Sequence, residues 1–152
     1  MKRPTRYFRA GAGAVLTDEH GRVLIFERRD ISDAWQFPQG GLEKDEDPID
    51  AVLREIREET GIPKAGLVLL DQFPRLLAYE LPRKEQSVKT GIGQVQYWFL
   101  FKVKEKDTSN IRLPAHSAFR TAAWVSFSRA VARVVRFKRP LYRELEKRFG
   151  KR

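Results

Sequence analysis

The chain has 152 residues, 41% hydrophobic and 33% charged, with a formal net charge of +10 and no cysteine. That length suits one compact domain over residues 1–152, and the missing cysteines exclude disulfide frameworks, thiolate metal sites and a cysteine nucleophile. The positive excess points to a polyanionic partner, RNA or polyphosphate, or else to a merely soluble basic surface.

The opening stretch, MKRPTRYFRAGAGAVLTDEHG, lacks the continuous apolar run of a signal peptide. No later run approaches the roughly 18 apolar residues that cross a bilayer, so a soluble, cytoplasmic chain with no membrane partner is expected. Nothing in the sequence specifies an oligomeric state. Residues 7–17 read as a strand, Asp18 to Gly21 as a turn and residues 23–28 as a second strand, together a hairpin. Gly11 and Gly13 lack the third glycine of a dinucleotide-binding turn and are read as easing strand packing, and no P-loop string occurs. Residues 30–41 form a loop that holds Pro38 and the Gly40-Gly41 pair.

A helix then runs from Asp47 or Pro48 to Thr60. Asp47 and Pro48 form an N-cap and first-turn pair, and Gly61 followed by Pro63 ends it. Ile49, Val52, Leu53 and Ile56 make its core-facing stripe. Glu55, Glu58 and Glu59 stand at i, i+3 and i+4, so three carboxylates project from one narrow face. Like charges so placed cost about 0.2–0.5 kcal/mol per pair, and something must compensate them. Hard oxygen ligands in such a cluster suit Mg2+ or Mn2+, with substrate phosphates completing the shell. Ala51, one turn before Glu55, leaves space above this ridge.

Beyond the helix, residues 67–72, 75–81, 95–103 and 122–125 are β-branched or aromatic runs that imply a mixed sheet. Residues 82–93 and 104–117 are surface loops. Short helices over 128–133 and 140–149 finish the chain, and the whole reads as an α/β or α+β sandwich. Basic residues concentrate from Arg129 to Arg152, against only Glu144 and Glu146. The histidines are His20, in the turn, and His116, in a loop, so covalent catalysis has little support.

Gly40, Glu46, Arg54-Glu55-Ile56, Glu58-Glu59 and Gly61-Ile62, at these spacings, resemble the Nudix box at every specified position. The resemblance implies a Nudix-type α/β/α sandwich with a mixed central sheet. It also implies a metal site of Glu55, Glu58, Glu59 and Gly40, with the three glutamates catalytic and Mg2+ or Mn2+ as cofactor. Glu46 and Arg54 pair to hold loop and helix together, a structural role. The implied reaction is attack of water on a phosphoanhydride.

Three further segments narrow the resemblance: WQFPQGG over 35–41, GQVQYWF over 93–99 and VVRFKR over 134–139. They are similar to segments of the bacterial RNA pyrophosphohydrolases and the related dinucleoside polyphosphate hydrolases. By position, Arg28, Arg29, Gln39, Tyr79 and Gln94 would contact substrate, while Val135, Phe137 and Lys138 would frame and stack on a 5′ nucleobase. The bland alternative makes Phe137 core, Lys138 solvated and Trp35 a packing residue with its indole N–H satisfied by the loop. One departure stands out, because Ala118 occupies a position where these relatives carry a Glu that resembles a further metal ligand or base. Glu85, in the 82–93 loop, is a candidate substitute. The implied function is hydrolysis of 5′-triphosphorylated RNA ends. The alternatives are a diadenosine tetraphosphate hydrolase and a catalytically impaired domain that binds nucleotides or RNA.

Overall fold

The computed structural model describes residues 6–109 and 111–150. Residues 1–5 of the opening stretch, Asn110 of the 104–117 loop, and Lys151 and Arg152 of the basic segment lie outside the described residues. The strands are β1 (Phe8–Thr17), β2 (Val23–Arg28), β3 (Trp35–Gln36), β4 (Gln39–Gly41), β5 (Leu67–Gln72), β6 (Leu77–Glu80), β7 (Gly93–Val103) and β8 (Phe119–Val125). The helices are α1 (Pro48–Thr60), α2 (Glu105–Thr108), α3 (Phe127–Arg133) and α4 (Arg139–Phe149).

One sheet runs β3-β2-β1-β7-β5, with β4 also on β1, β6 on β7 and β8 on β2. β1 and β7 pair in parallel from Phe8↔Gly93 to Thr17↔Lys102, while the other pairings are antiparallel, so the sheet is mixed. The two-residue period of the strands divides the core into two layers. Ala12, Ala14, Leu16, Leu24, Phe26, Phe99 and Phe101 pack with Val52 and Ile56 of α1. Val15, Val23, Ile25, Trp98 and Leu100 pack on the opposite face with Val131 of α3 and Leu141, Tyr142 and Leu145 of α4. Helices cover both faces, which is why the strand centres read as nearly unbroken apolar runs.

Helix α1 has the predicted bounds. Asp47 stands before it in extended conformation without a side-chain cap bond, and Gly61, at φ 76°, closes it with its N–H on the Arg57 carbonyl. Its apolar stripe is wider than Ile49, Val52, Leu53 and Ile56. Ala51 is fully buried in the core against the sheet, so it contributes to packing and does not clear space over the acidic ridge.

The expected hairpin of β1 and β2 is confined to one pair, Thr17↔Val23. β2 then leaves β1 for β8, and the freed edge of β1 takes β4 at Gly11↔Gly41, Ala12↔Gly40 and Gly13↔Gln39. The predicted 30–41 loop is therefore partly strand. Pro38 interrupts it, and its carbonyl accepts from the Ala14 N–H at 3.0 Å. β6 begins later than predicted, β8 begins earlier, and a 3₁₀ turn over Arg136–Lys138 links α3 to α4. Gly13 eases packing, since a Cβ there would lie 2.5 Å from the buried Trp98 ring.

Candidate active site

The WQFPQGG segment is held by the fully buried side chain of Phe37. Phe37 stacks on Tyr142 at 4.6 Å and meets Trp98 and Phe127 edge-on. Its backbone N–H donates to the Tyr142 hydroxyl at 2.7 Å. That bond fills the hydroxyl's acceptor in a dry core, where burial pushes the phenol pKa far above its ordinary value. Anchoring Phe37 fixes its neighbours, so Gln36 and Gln39 line a cleft and Gly40 lies against α1.

The close approach at Gly40 requires a glycine. A Cβ there would lie 2.2 Å from Cδ and 2.4 Å from Oε1 of Glu55. Arg54 braces this junction, as predicted, through a bidentate pair in which Nε and Nη2 donate to the two Glu46 oxygens, each at 2.9 Å. The same guanidinium donates to the Gly41 carbonyl at 3.1 Å and to Glu55 Oε1 at 2.9 Å. Its hydrogen bonds hold the Glu46 carboxyl down at about 2.

The three carboxylates of α1 have different surroundings. Burial raises the pKa of Glu55, Arg54 opposes that rise, and the charges of Glu58 and Glu59 add to it. Glu58 is the most open of the three and lies 3.6 Å from Arg54 Nη1. Glu59 is tied to the start of β8, accepting from the Ala118 N–H at 2.6 Å and from Ser117 Oγ at 3.2 Å. Among the described residues, no three acidic, histidine or cysteine side chains converge as a ready metal cage. Arg54 supplies the local positive charge instead. The donor set still fits a hard divalent cation, since it offers only carboxylate and carbonyl oxygens and the missing Cβ at Gly40 leaves the backbone in contact with Glu55.

An open cleft of about 350 Å³ runs from this helix toward the 3₁₀ turn, and its walls include Glu55, Glu59, Arg28, Gln39, Tyr79, Gln94, Phe137 and Lys138. Lys138 is only 8% exposed, so the solvated alternative fails for it. Its Nζ lies 5.1 Å over the Tyr79 ring and 3.4 Å from Gln39 Oε1. Burial and then the charge of Arg28 lower its pKa to about 8, against the opposing charge of Glu85. Phe137 is half-buried, with its ring 5.8 Å from that of Tyr79. The Tyr79 hydroxyl accepts from Gln39 Nε2 at 2.9 Å, and burial raises its pKa.

Other expected residues lie elsewhere. Arg29 is outside the cleft wall, donating to the carbonyls of Ser117 and Phe119 at 3.1 and 3.2 Å. Val135 is 43% exposed and also outside it. Trp35 donates to Asp33 Oδ1 at 3.0 Å, as the packing alternative anticipates. Arg9, Gln36 and Thr90 line the cleft although the sequence does not single them out, and Ala118 and Glu85 line it too. Arg9 reaches the site through the parallel register Arg9↔Gln94, a pairing with no local signal in one sequence.

Residues 7–145 match a family model described as the NUDIX domain. The chain is similar to the RNA pyrophosphohydrolase of Saccharophagus degradans, with 42% identity over 140 residues covering 90% of this chain and 82% of the relative. It is also similar to the RNA pyrophosphohydrolase of Halorhodospira halophila, with 40% identity over 141 residues covering 90% and 77%. A solved structure of the E. coli dihydroneopterin triphosphate pyrophosphohydrolase superposes with a TM-score of 0.77 at 22% identity, covering 97% of this chain and 100% of that one. A C. elegans Ap4A hydrolase superposes with a TM-score of 0.72 at 20% identity, covering 95% and 99%. At those identities the superpositions establish the shared α/β/α fold alone.

Proposed function

The chain belongs to the NUDIX family as a Nudix hydrolase, and on that premise we propose that it acts on the 5′-triphosphate end of RNA, releasing pyrophosphate or successive phosphates. Relatives 36–42% identical over at least 90% of this chain carry the name RNA pyrophosphohydrolase. The single observation that carries the reading is the cleft itself. It joins Glu55 and Glu59 at one part to Arg9, Arg28 and Lys138 beside the Tyr79 and Phe137 rings at another. Carboxylates handle the reacting phosphate, cations neutralise its neighbours, and an aromatic pair stacks on the first base.

Glu55, Glu58, Glu59 and the Gly40 carbonyl would hold Mg2+ or Mn2+. Such a cation supplies charge neutralisation and Lewis-acid polarisation when bound. The chain's own residues provide the rest. Arg54 and Glu46 fix the loop on α1, while Ser117 and the Ala118 amide aim Glu59. Gln39 and Tyr79 hold Lys138 in place for phosphate. The basic residues of α3 and α4 add contacts to the RNA body, each neutralised phosphate favouring binding by counterion release. Residues 1–152 act in this reading as one cytoplasmic domain.

A substrate panel tests it. Triphosphorylated RNA, diadenosine tetraphosphate, nucleoside triphosphates and ADP-ribose are each assayed with and without Mg2+ or Mn2+. Metal-dependent conversion of the RNA to its 5′-monophosphate is expected. Intact RNA beside cleaved diadenosine tetraphosphate would move the function to the dinucleotide.

A further inference from the structure

Lys138, Arg28 and Arg9 give the cleft a cationic wall suited to a polyphosphate, yet Glu85 faces into it as well. Its carboxylate makes no hydrogen bond and no ion pair among the described residues, although its charge is felt at Lys138. Its backbone is firmly placed. Glu85 ends a 3₁₀ turn over Arg83–Glu85, with its N–H on the Pro82 carbonyl at 2.8 Å and its own carbonyl accepting from Thr90 Oγ1 at 3.2 Å. Gln86 Nε2 donates to the Leu81 carbonyl at 2.9 Å, and the Ile92 N–H donates to the Tyr7 carbonyl at 2.9 Å. The loop is thus braced against Tyr7 and Leu81, the residues that flank β1 and β6.

A carboxylate in a polyanion's cleft weakens binding unless the ligand brings donors to it. A nucleotide has such donors on its ribose hydroxyls and on its base, and the neighbouring walls, Tyr79 and Phe137, are rings on which a base would stack, which favours the base. We propose that Glu85 accepts from the Watson–Crick edge of guanine, so that this chain prefers RNA with a 5′-terminal guanosine. Guanine presents N1–H and N2–H side by side, a match for two carboxylate oxygens. Adenine and cytosine offer one amino group, and uracil offers one N–H between two carbonyls that a carboxylate repels. The inference rests on the nucleotide reading of the cleft given above. Because Glu85 is exposed at the rim, the preference falls at the lower end of bidentate base readout, about tenfold.

The test is binding of GMP, AMP, CMP and UMP to the wild-type protein, Glu85→Gln and Glu85→Ala by calorimetry at fixed salt. Turnover on triphosphorylated RNAs that differ only in the first base is followed in parallel. GMP is expected to bind about tenfold tighter than UMP, and both substitutions to bring the four within about twofold by weakening GMP. Equal wild-type affinities, no detectable binding of any of the four, or variants that tighten all four alike would overturn the proposal. The last result would reduce Glu85 to a repulsive charge. RNA turnover without a first-base preference overturns this inference alone. Retained GMP preference with no RNA turnover leaves it standing and removes the RNA reading instead.

Discussion

The amide of Ala118 donates to Oε2 of Glu59 across 2.6 Å, so the loop entering β8 aims a carboxylate of α1 through its backbone alone. Ala118 contributes a backbone donor here, and the carboxylate that it meets is that of the helix. Glu59→Gln keeps the shape and removes the charge. We expect a loss of about 100-fold or more in kcat with an unchanged circular-dichroism spectrum, since electrostatic stabilisation of a transferring phosphoryl group amounts to several kcal/mol. Wild-type protein that turns over nothing, with Ala118→Glu creating activity, would instead identify an impaired binding domain.

Gly40→Ala separates chemistry from folding. The new Cβ meets the Glu55 carboxylate at 2.2–2.4 Å, the end of a flexible side chain that moves aside without unfolding the sheet. Activity should fall by at least about tenfold, the scale of a misplaced reacting group, while the melting temperature stays within a few degrees. A variant with wild-type turnover would show that the contact does not set the position of Glu55.

Lys138 is held at a cost. Its proton is retained to about 10.5 in the unfolded chain but only to about 8 in the fold. Between those values the unfolded chain binds more protons, so stability rises with pH across that window. Lys138→Met should stabilise the protein near neutral pH by on the order of 3 kcal/mol and abolish that rise, read by denaturant titration at several pH values. The same substitution, or Lys138→Ala, should raise KM more than it lowers kcat. In the wild type, KM should climb above about pH 8 as the ammonium is lost. An unchanged KM would remove Lys138 from substrate binding.

Glu46 behaves oppositely. Its carboxyl is held at about 2 by Arg54 against an ordinary glutamate value of 4.5, so its contribution is complete above about pH 4.5 and lost as pH falls toward 2. Glu46→Gln should lower the melting temperature at pH 7 by a few degrees and flatten its dependence between pH 4.5 and 2. A variant that melts like the wild type at pH 7 would deny the pair its bracing role.

The parts of this protein legible in the sequence are those written locally. The bounds of α1 follow from Pro48 and Gly61, and the pairing of Glu46 with Arg54 spans only the helix start and nearly two turns of helix. The two apolar layers follow from the alternation in β1, β2 and β7. Arg9 escapes a reading of the sequence because only the parallel pairing of β1 with β7 carries it to Gln94, across most of the chain. The β3 and β4 strands escape it because two and three residues around a proline make no periodic pattern. The burial of Lys138 resists prediction for a different reason. A lysine in a basic run reads as solvated, and only a 3₁₀ turn packed on Tyr79 buries it.

The central claim is most directly tested by comparing kcat/KM for 5′-triphosphorylated RNA and for diadenosine tetraphosphate, at matched Mg2+ or Mn2+ and low salt. The larger value is predicted for the RNA, with 5′-monophosphorylated RNA as the end product. Intact RNA under conditions that cleave the dinucleotide would contradict it.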